Sequence, residues 1–193
     1  MRVVGIDPGS RITGYGVVEM DGARVVHIAN GCIRVGDGEL SRRLADIHAG
    51  ISAVLEEHRP QAGEDFEMAV EQVFMHRNVS SALKLGHARG VALLAGVQNG
   101  MAVHEYTPTR IKQAVSGRGH ADKEQVQHMV RILLALDETP PSDAADALAV
   151  ALCHANSRTL AALSGDKAAS TRRRGSGSSA WRRAGASLRG RTS

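Results

Sequence analysis

The sequence is poor in cysteine, in aromatic residues and in long hydrophobic runs. Its two cysteines, Cys32 and Cys153, exclude a disulfide-rich scaffold. The longest apolar run, residues 90–97, is far shorter than the roughly 18 residues that span a bilayer. The chain also opens directly on a strand-like segment, without the pattern of a signal peptide. These absences predict a cytoplasmic protein whose stability comes from an ordinary hydrophobic core.

Positive charge is concentrated at the end of the chain. Residues 165–193 contain eight basic residues and one acid, whereas residues 1–164 carry a small net negative charge. The tail is rich in Gly, Ser and Arg and poor in large apolar residues, a composition typical of disorder. We therefore predict a folded domain over residues 1–156 and a basic, disordered tail over residues 157–193. The charge of this tail suits phosphate contacts and plain solubilisation equally well.

Hydrophobic periodicity predicts three strands followed by alternating helices and strands. The first strands cover residues 3–7, 12–19 and 23–33, and Asp21-Gly22 is a hairpin signal between the last two. This order predicts an α/β fold with a mixed five-stranded sheet, three antiparallel strands and then parallel ones, flanked by helices. It fits a ribonuclease-H-like fold, although other α/β folds share it. The remaining predicted elements are a helix over 40–55, a strand over 66–73, a helix over 78–97, a strand over 102–106, and helices over 109–115, 126–134 and 144–153.

Acidic residues interrupt apolar segments at three separated places. Asp7 ends the first strand, where open α/β sheets tend to place their chemistry. Glu71 lies within the apolar fourth strand and has the same parity as Glu67, so both point to one face of the sheet. Asp143 and Asp146 are three residues apart at the start of the last helix and share a helix face. Because Glu71 lies deeper in the apolar run than Glu67, we take it as the functional residue.

Each of these acids also has a separate structural explanation. Asp143 could cap its helix, Asp7 could stabilise the turn that follows it, and Glu71 could form a salt bridge. A metal site explains the four acids together, because clustered carboxylates repel one another unless protons or cations compensate. Oxygen ligands point to Mg²⁺, with Mn²⁺ as a substitute, rather than to zinc. None of the nine histidines forms a recognisable zinc motif in the sequence.

Five segments occur in a fixed order over roughly residues 1–156. As a set they resemble the RuvC family, bacterial endonucleases that resolve Holliday junctions, whereas Asp-Pro-Gly alone would be a weak signal. The resemblance does not extend to residues 157–193. The matching segments are Gly5-Ile6-Asp7-Pro8-Gly9-Ser10; Glu71-Gln72-Val73-Phe74; Ser81-Ala82-Leu83-Lys84-Leu85-Gly86 with Ala88-Arg89-Gly90; Lys123 with Gln125-Val126-Gln127-His128-Met129-Val130; and Asp143-Ala144-Ala145-Asp146-Ala147-Leu148.

The resemblance implies the chemistry of the acidic residues. The family's four acidic ligands correspond to Asp7, Glu71, Asp143 and Asp146, which would hold two divalent ions with Asp7 as the shared ligand. One ion would help to form hydroxide from water and the other would stabilise the leaving 3′ oxygen. The products would carry a 5′-phosphate and a 3′-hydroxyl. Paired, symmetrical nicks of this kind serve recombination and DNA repair.

The resemblance also implies contacts with DNA. Lys112 and Lys123 would lie near the scissile phosphate, either binding it or offsetting charge in the transition state. Phe74 would stack on an unpaired base near the crossover, although a core position is its ordinary interpretation. The weaker candidates for phosphate contact are Arg77, Arg89, Arg110 and Arg118.

The expected partners follow from the symmetry of the substrate and from the family. A four-way junction has approximate two-fold symmetry and is cut twice, which a homodimer with two identical sites can do. In the family, the junction is delivered by a branch-migration complex, a junction-binding tetramer with a hexameric ATPase motor.

Two other classes of function are compatible with parts of the pattern. A non-catalytic protein that binds branched DNA could keep the same fold, although the presence of all four acids argues against it. An Asp-x-Gly segment after a first strand also occurs in the sugar-kinase, actin and Hsp70 superfamily. Those phosphoryl-transfer and nucleotide-binding proteins need two such domains, and 193 residues are too few for them.

Overall fold

A computed structural model describes residues 1–72 and 79–175. Within them, five strands form one mixed sheet in the order β3-β2-β1-β4-β5. The pairs β1–β2 and β2–β3 are antiparallel, and the pairs β1–β4 and β4–β5 are parallel. This arrangement confirms the mixed sheet predicted from the hydrophobic pattern. The strands are β1 (Arg2–Asp7), β2 (Ile12–Asp21), β3 (Arg24–Arg34), β4 (Phe66–Glu71) and β5 (Ala102–Tyr106).

Helices cover both faces of the sheet. On one face, α1 and α2 bury an apolar core against residues such as Val4, Ile6 and Met68. On the other face, α3, α4 and α5 pack around Val3 and Ala69. No helix in the described part of the chain is long and apolar enough to cross a membrane. The helices are α1 (Leu40–Glu57), α2 (Val79–Gln98), α3 (Pro108–Ser116), α4 (Lys123–Leu133) and α5 (Ser142–Gly175).

Two glycines let α5 lie close against the sheet. A Cβ atom on Gly5 would overlap the carbonyl oxygen of Ala147, and a Cβ atom on Gly14 would overlap that of Asp143. The helix contributes small residues to the same contact, including the fully buried Ala144. Because no side chain separates the two backbones here, the first turns of α5 come directly over β1 and β2.

The helix α4 begins at Lys123, where Asp122 and Gln125 form a reciprocal capping box. The last helix is longer than predicted. The helix α5 runs to Gly175 rather than ending near Cys153.

The chain divides into two compact units, Met1–Ser157 and Arg158–Ser193. The second unit begins inside α5 and is helical to Gly175, which differs from the disordered tail predicted for residues 157–193. The reason is local, because the segment after Ser157 contains many Ala, Leu, Lys and Arg residues and no proline. The residues that follow Gly175 lie outside the described part of the chain.

Candidate active site

The ends of two neighbouring strands place Asp7 and Glu71 side by side. Strands β1 and β4 are parallel and in register up to the pair Ile6–Val70, so their last residues, Asp7 and Glu71, end at the same edge. Both side chains point to the α5 face of the sheet, because they share parity with Val3 and Ala69 in the core on that face. The sheet alone therefore brings together two of the four acids predicted from the sequence.

The helix α5 contributes the other two acids of the predicted site. Its first turn carries Asp143, and Asp146 follows one turn later on the same face. The backbone of Asp143 lies against Gly14, and Gly14 is the partner of Asp7 across β1 and β2. The four acids, which we call the acidic cluster, thus come from β1, β4 and α5.

Electrostatics show how closely these acids interact. The pKa of Asp7 is raised from 3.8 to about 8, mainly by burial and then by the nearby charges of Glu71, Asp146 and Asp143, against an opposing effect of Lys123. Burial and the charge of Asp146 also raise the pKa of Glu71. Without a cation, Asp7 therefore holds a proton at neutral pH.

A proton already links two members of the acidic cluster. Asp7 and Glu71 share a hydrogen bond that lowers the pKa of Glu71. Since the pKa of Asp7 is raised to about 8, the protonated Asp7 is the donor and the Glu71 carboxylate is the acceptor.

Two lysines lie beside the acids. The Lys123 Nζ atom is 2.9 Å from Asp146 Oδ2, and this hydrogen bond is the main reason that the pKa of Lys123 is raised. The charge of Lys112 lowers the pKa of Glu71. Both lysines line a cavity of about 190 Å³ together with Glu71 and Asp146. Acidic ligands and positive charge therefore face one common space.

The structure also bears on the alternative explanations of the acids. The turn after Asp7 is held by Thr13, whose hydroxyl donates to the Gly9 carbonyl (3.0 Å) and accepts from the Gly9 amide (3.3 Å). Asp143 lies within the first turn of α5, after Ser142, and not at the residue before the helix. The separate roles as turn residue and helix cap are therefore weaker explanations than a shared site.

The other predicted DNA contacts have different surroundings. Arg118 is exposed in the loop between α3 and α4, as a phosphate contact requires. Arg89 instead forms an ion pair with Glu105 that joins α2 to β5. Phe74 and Arg77 lie outside the described residues.

A second group of chemically active side chains was not predicted as a site. Glu67, His104 and His154 come from β4, β5 and α5 and bring their ligand atoms within 4.8 Å of one another. We call this group the histidine cluster. Its members are far apart in the sequence, so no local spacing signals it, and only the parity of Glu67 with Glu71 places one of them on this face.

The acidic cluster fits a divalent cation by its donors and by its charge. Carboxylate oxygens are the ligands preferred by Mg²⁺ and Mn²⁺. The raised pKa of Asp7 indicates that these half-buried carboxylates repel one another when no cation compensates them. A bound cation would supply that compensation, so the residues suit the metal that the resemblance implies.

Comparison with known proteins gives a consistent result. The sequence model of the family "Crossover junction endodeoxyribonuclease RuvC" matches residues 3–154. A protein of that name from Geobacter sulfurreducens is 58% identical over 161 residues, covering 83% of this chain and 95% of the relative. Another from Stutzerimonas stutzeri is 55% identical over 156 residues, covering 81% and 87%. Among solved structures, T. thermophilus RuvC in complex with a Holliday junction substrate aligns with a TM-score of 0.75 and 39% identity, over 83% of this chain and 96% of that one.

Proposed function

Because this chain belongs to the RuvC family of crossover junction endodeoxyribonucleases, we infer that it resolves Holliday junctions by hydrolysing phosphodiester bonds at the acidic cluster. It is a nuclease with a ribonuclease-H-like fold, as the family match and the structural likeness to RuvC indicate. The observation that supports the location of the site is the convergence of Asp7, Glu71, Asp143 and Asp146 beside two lysines.

The family is metal-dependent, and we assign the metal to the acidic cluster. Asp7 interacts with each of the other three acids, so it is the shared ligand in this proposal. We propose two ions per site, as the family resemblance implies. We propose Mg²⁺ in the cell, with Mn²⁺ as a substitute, because all the donors are carboxylate oxygens. When bound, such ions make water a stronger acid and stabilise negative charge on phosphate oxygens.

The residues of the chain prepare the site for the same reaction. Lys123 forms an ion pair with Asp146 and adds positive charge to the lining of the cavity, where it can attract a phosphate. Lys112 places a second positive charge near Glu71. In the hydrolysis, water adds to phosphorus and the P–O3′ bond breaks, which leaves a 5′-phosphate and a 3′-hydroxyl. In the net reaction, the hydroxyl of the water is bound to phosphorus and one proton is transferred to the 3′ oxygen, so the reaction balances.

The wider setting of the reaction is also proposed from the family. We propose that a homodimer presents two such sites to the two-fold symmetric junction, and that a branch-migration complex of a tetramer and a hexameric motor delivers it. Such a reaction serves recombination and repair on chromosomal DNA in the cytoplasm. Arg118 would contact the DNA backbone from the α3–α4 loop. This loop begins at Gly117, which caps the end of α3 in a left-handed conformation (φ 72°).

A four-way junction assay tests this function. Each strand is labelled in turn, and the purified full chain is incubated with Mg²⁺. We expect paired nicks at symmetrical positions with ligatable ends, and no detectable nicks from Asp7→Asn. The variant should still bind the junction in a gel-shift assay with Ca²⁺. Nicking by Asp7→Asn at a near wild-type rate would contradict the assignment, and binding without any product by the wild type would favour a non-catalytic junction-binding protein.

A further inference from the structure

The histidine cluster lies on the same face of the sheet as the acidic cluster but at a different place. Glu67 is four residues before Glu71 on β4, a separation of about 13 Å along a strand. His104 lies on the neighbouring strand β5. Its register partner is Ala69, which follows Glu67 by two residues on the same face of β4. His154 reaches the same point from α5 and is almost completely buried. The cluster therefore ties together three elements, and one of them is the helix that carries Asp143 and Asp146.

Two imidazole nitrogens converge on a single carboxylate oxygen. The Nε2 atom of His154 is 2.7 Å from Glu67 Oε2, and the Nε2 atom of His104 is 3.1 Å from the same oxygen. The two rings lie 4.6 Å apart, centroid to centroid. Three potential ligand atoms thus surround one small volume, and they come from side chains that are held by the sheet and by α5.

Hydrogen bonding does not account for all of these atoms. The Nε2 atom of His104 is buried and has no hydrogen-bond partner within the described residues, despite its short distance to Glu67. A buried polar atom without a partner is costly, and such atoms call for an explanation such as an ion. This atom lies within 4.8 Å of the other two ligand atoms.

The surroundings of His154 select the nitrogen that faces the cluster. Tyr106 Oη is 2.7 Å from the Nδ1 atom of His154 and is buried with it. If Nδ1–H donates to this oxygen, the lone pair of Nε2 is directed at the cluster. Histidine ligands of metals are commonly oriented in this way, by a hydrogen bond at the other ring nitrogen.

We propose that Glu67, His104 and His154 form a second metal site, for a transition-metal ion of the Zn²⁺ type. Two histidines and one glutamate form a recurrent zinc ligand set, with water as the fourth ligand. Tetrahedral ligands at zinc distances would be about 3.3 Å apart. The two contacts with Glu67 are 2.7 and 3.1 Å long, and all three ligand atoms lie within 4.8 Å of one another. His104 is 39% exposed in its side chain, which gives an ion a route from solvent.

The chemistry of the two clusters predicts different ions. The acidic cluster offers only oxygen ligands, which suit Mg²⁺, whereas nitrogen ligands favour Zn²⁺ over Mg²⁺. An ion at the histidine cluster would fix α5 against β4 and β5. It would thereby stabilise the position of Asp143 and Asp146 without touching the substrate.

Calorimetry with the metal-free full chain tests this proposal. Zn²⁺ is titrated in the presence of excess Mg²⁺, which occupies the acidic cluster. We expect one equivalent of Zn²⁺ to bind to the wild type, and His104→Ala to weaken that binding about a hundredfold. His128→Ala, which removes an exposed histidine of α4, should bind as the wild type does. Because His104 is partly exposed, its variant should fold, and circular dichroism checks this.

A second readout distinguishes ligation from a change in stability. Co²⁺ bound to nitrogen and carboxylate ligands in a four-coordinate site gives visible absorption, so the wild type should show this spectrum and His104→Ala should not. Zn²⁺ should also raise the melting temperature of the wild type but not that of His104→Ala. Equal Zn²⁺ affinity in the wild type and His104→Ala, or no Zn²⁺ binding in the presence of Mg²⁺, would overturn the proposal. Neither outcome depends on whether the acidic cluster cuts DNA.

Discussion

The acidic cluster and the histidine cluster differ in the side chains that surround their carboxylates. Both place carboxylates on the α5 face of the sheet, and both use β4 and α5 to do so. Glu67 is compensated by two imidazoles at 2.7 and 3.1 Å. Asp7 is instead surrounded by three further acids, and its pKa rises to about 8. Carboxylates gathered with more negative than positive charge are typical of a site for a hard cation such as Mg²⁺, whereas a carboxylate beside two imidazoles suits a structural contact or a transition-metal ion.

The largest expected effect concerns stability against pH. Because the pKa of Asp7 is raised in the folded state, the metal-free folded protein binds more protons than the unfolded chain between about pH 4 and pH 8. Its free energy of unfolding should therefore fall as the pH rises through this window. Asp7→Asn should remove that loss and be more stable at pH 8, by about 3 to 5 kcal/mol. Urea unfolding in EDTA measures this, and parallel pH profiles for the two proteins would contradict it.

The close contact between α5 and Gly14 offers a second test, because it positions the acidic cluster. Gly14→Val places a side chain where the backbone of Asp143 lies, so the start of α5 has to move away from Asp7. We expect a loss of about 3 kcal/mol in the free energy of unfolding. Junction cleavage should be lost as well, even at temperatures where the variant remains folded. Gly36→Val is the matched control, because a Cβ there meets nothing. Full activity of folded Gly14→Val would show that the position of Asp143 does not matter.

Lys123 lies beside the acidic cluster, whereas the histidine cluster consists of one glutamate and two histidines. Lys123→Met removes the charge that contacts Asp146 at 2.9 Å while keeping the length of the side chain. We expect the rate of nicking to fall about 10- to 100-fold, with junction affinity changing less. Arg131→Met, which removes a positive charge from the last turn of the same helix, is the control. A similar decrease in both variants would indicate general charge attraction rather than a local role.

The smallest expected effect tests the histidine cluster. Tyr106→Phe removes the hydroxyl that bonds to His154 and leaves the ring in place. The free energy of unfolding should fall by about 1 kcal/mol, the usual value for one buried hydrogen bond. Cleavage in saturating Mg²⁺ should stay close to that of the wild type. A large loss of activity without a loss of stability would place Tyr106 in the chemistry instead.

The parts of the site that follow from local pattern were predictable, and those that depend on packing were not. Strand parity is enough to put Asp7 and Glu71 on a common face, and helical spacing does the same for Asp143 and Asp146. The pairing of these two groups needs the contact of α5 with Gly14, which no local pattern shows. The resemblance to the family predicts that these two groups of acids lie together.

The histidine cluster illustrates the limit of sequence reasoning. Glu67, His104 and His154 lie on three elements, so their meeting depends on the register of β4 with β5 and on where α5 crosses them. The length of α5 was also underestimated, because composition indicated disorder where helix propensity without a proline was sufficient. Phe74 and Arg77 remain predictions.

One measurement compares the clusters directly. Glu71→Gln and Glu67→Gln are the same chemical change on the same strand face, four residues apart. Their nicking rates on a four-way junction in saturating Mg²⁺ should be measured at equal concentrations of folded, junction-binding protein. We predict that Glu71→Gln lowers the rate at least about a hundredfold, whereas Glu67→Gln stays within about threefold of the wild type. Equal losses in the two variants, or a greater loss in Glu67→Gln, would contradict the assignment of catalysis to the acidic cluster.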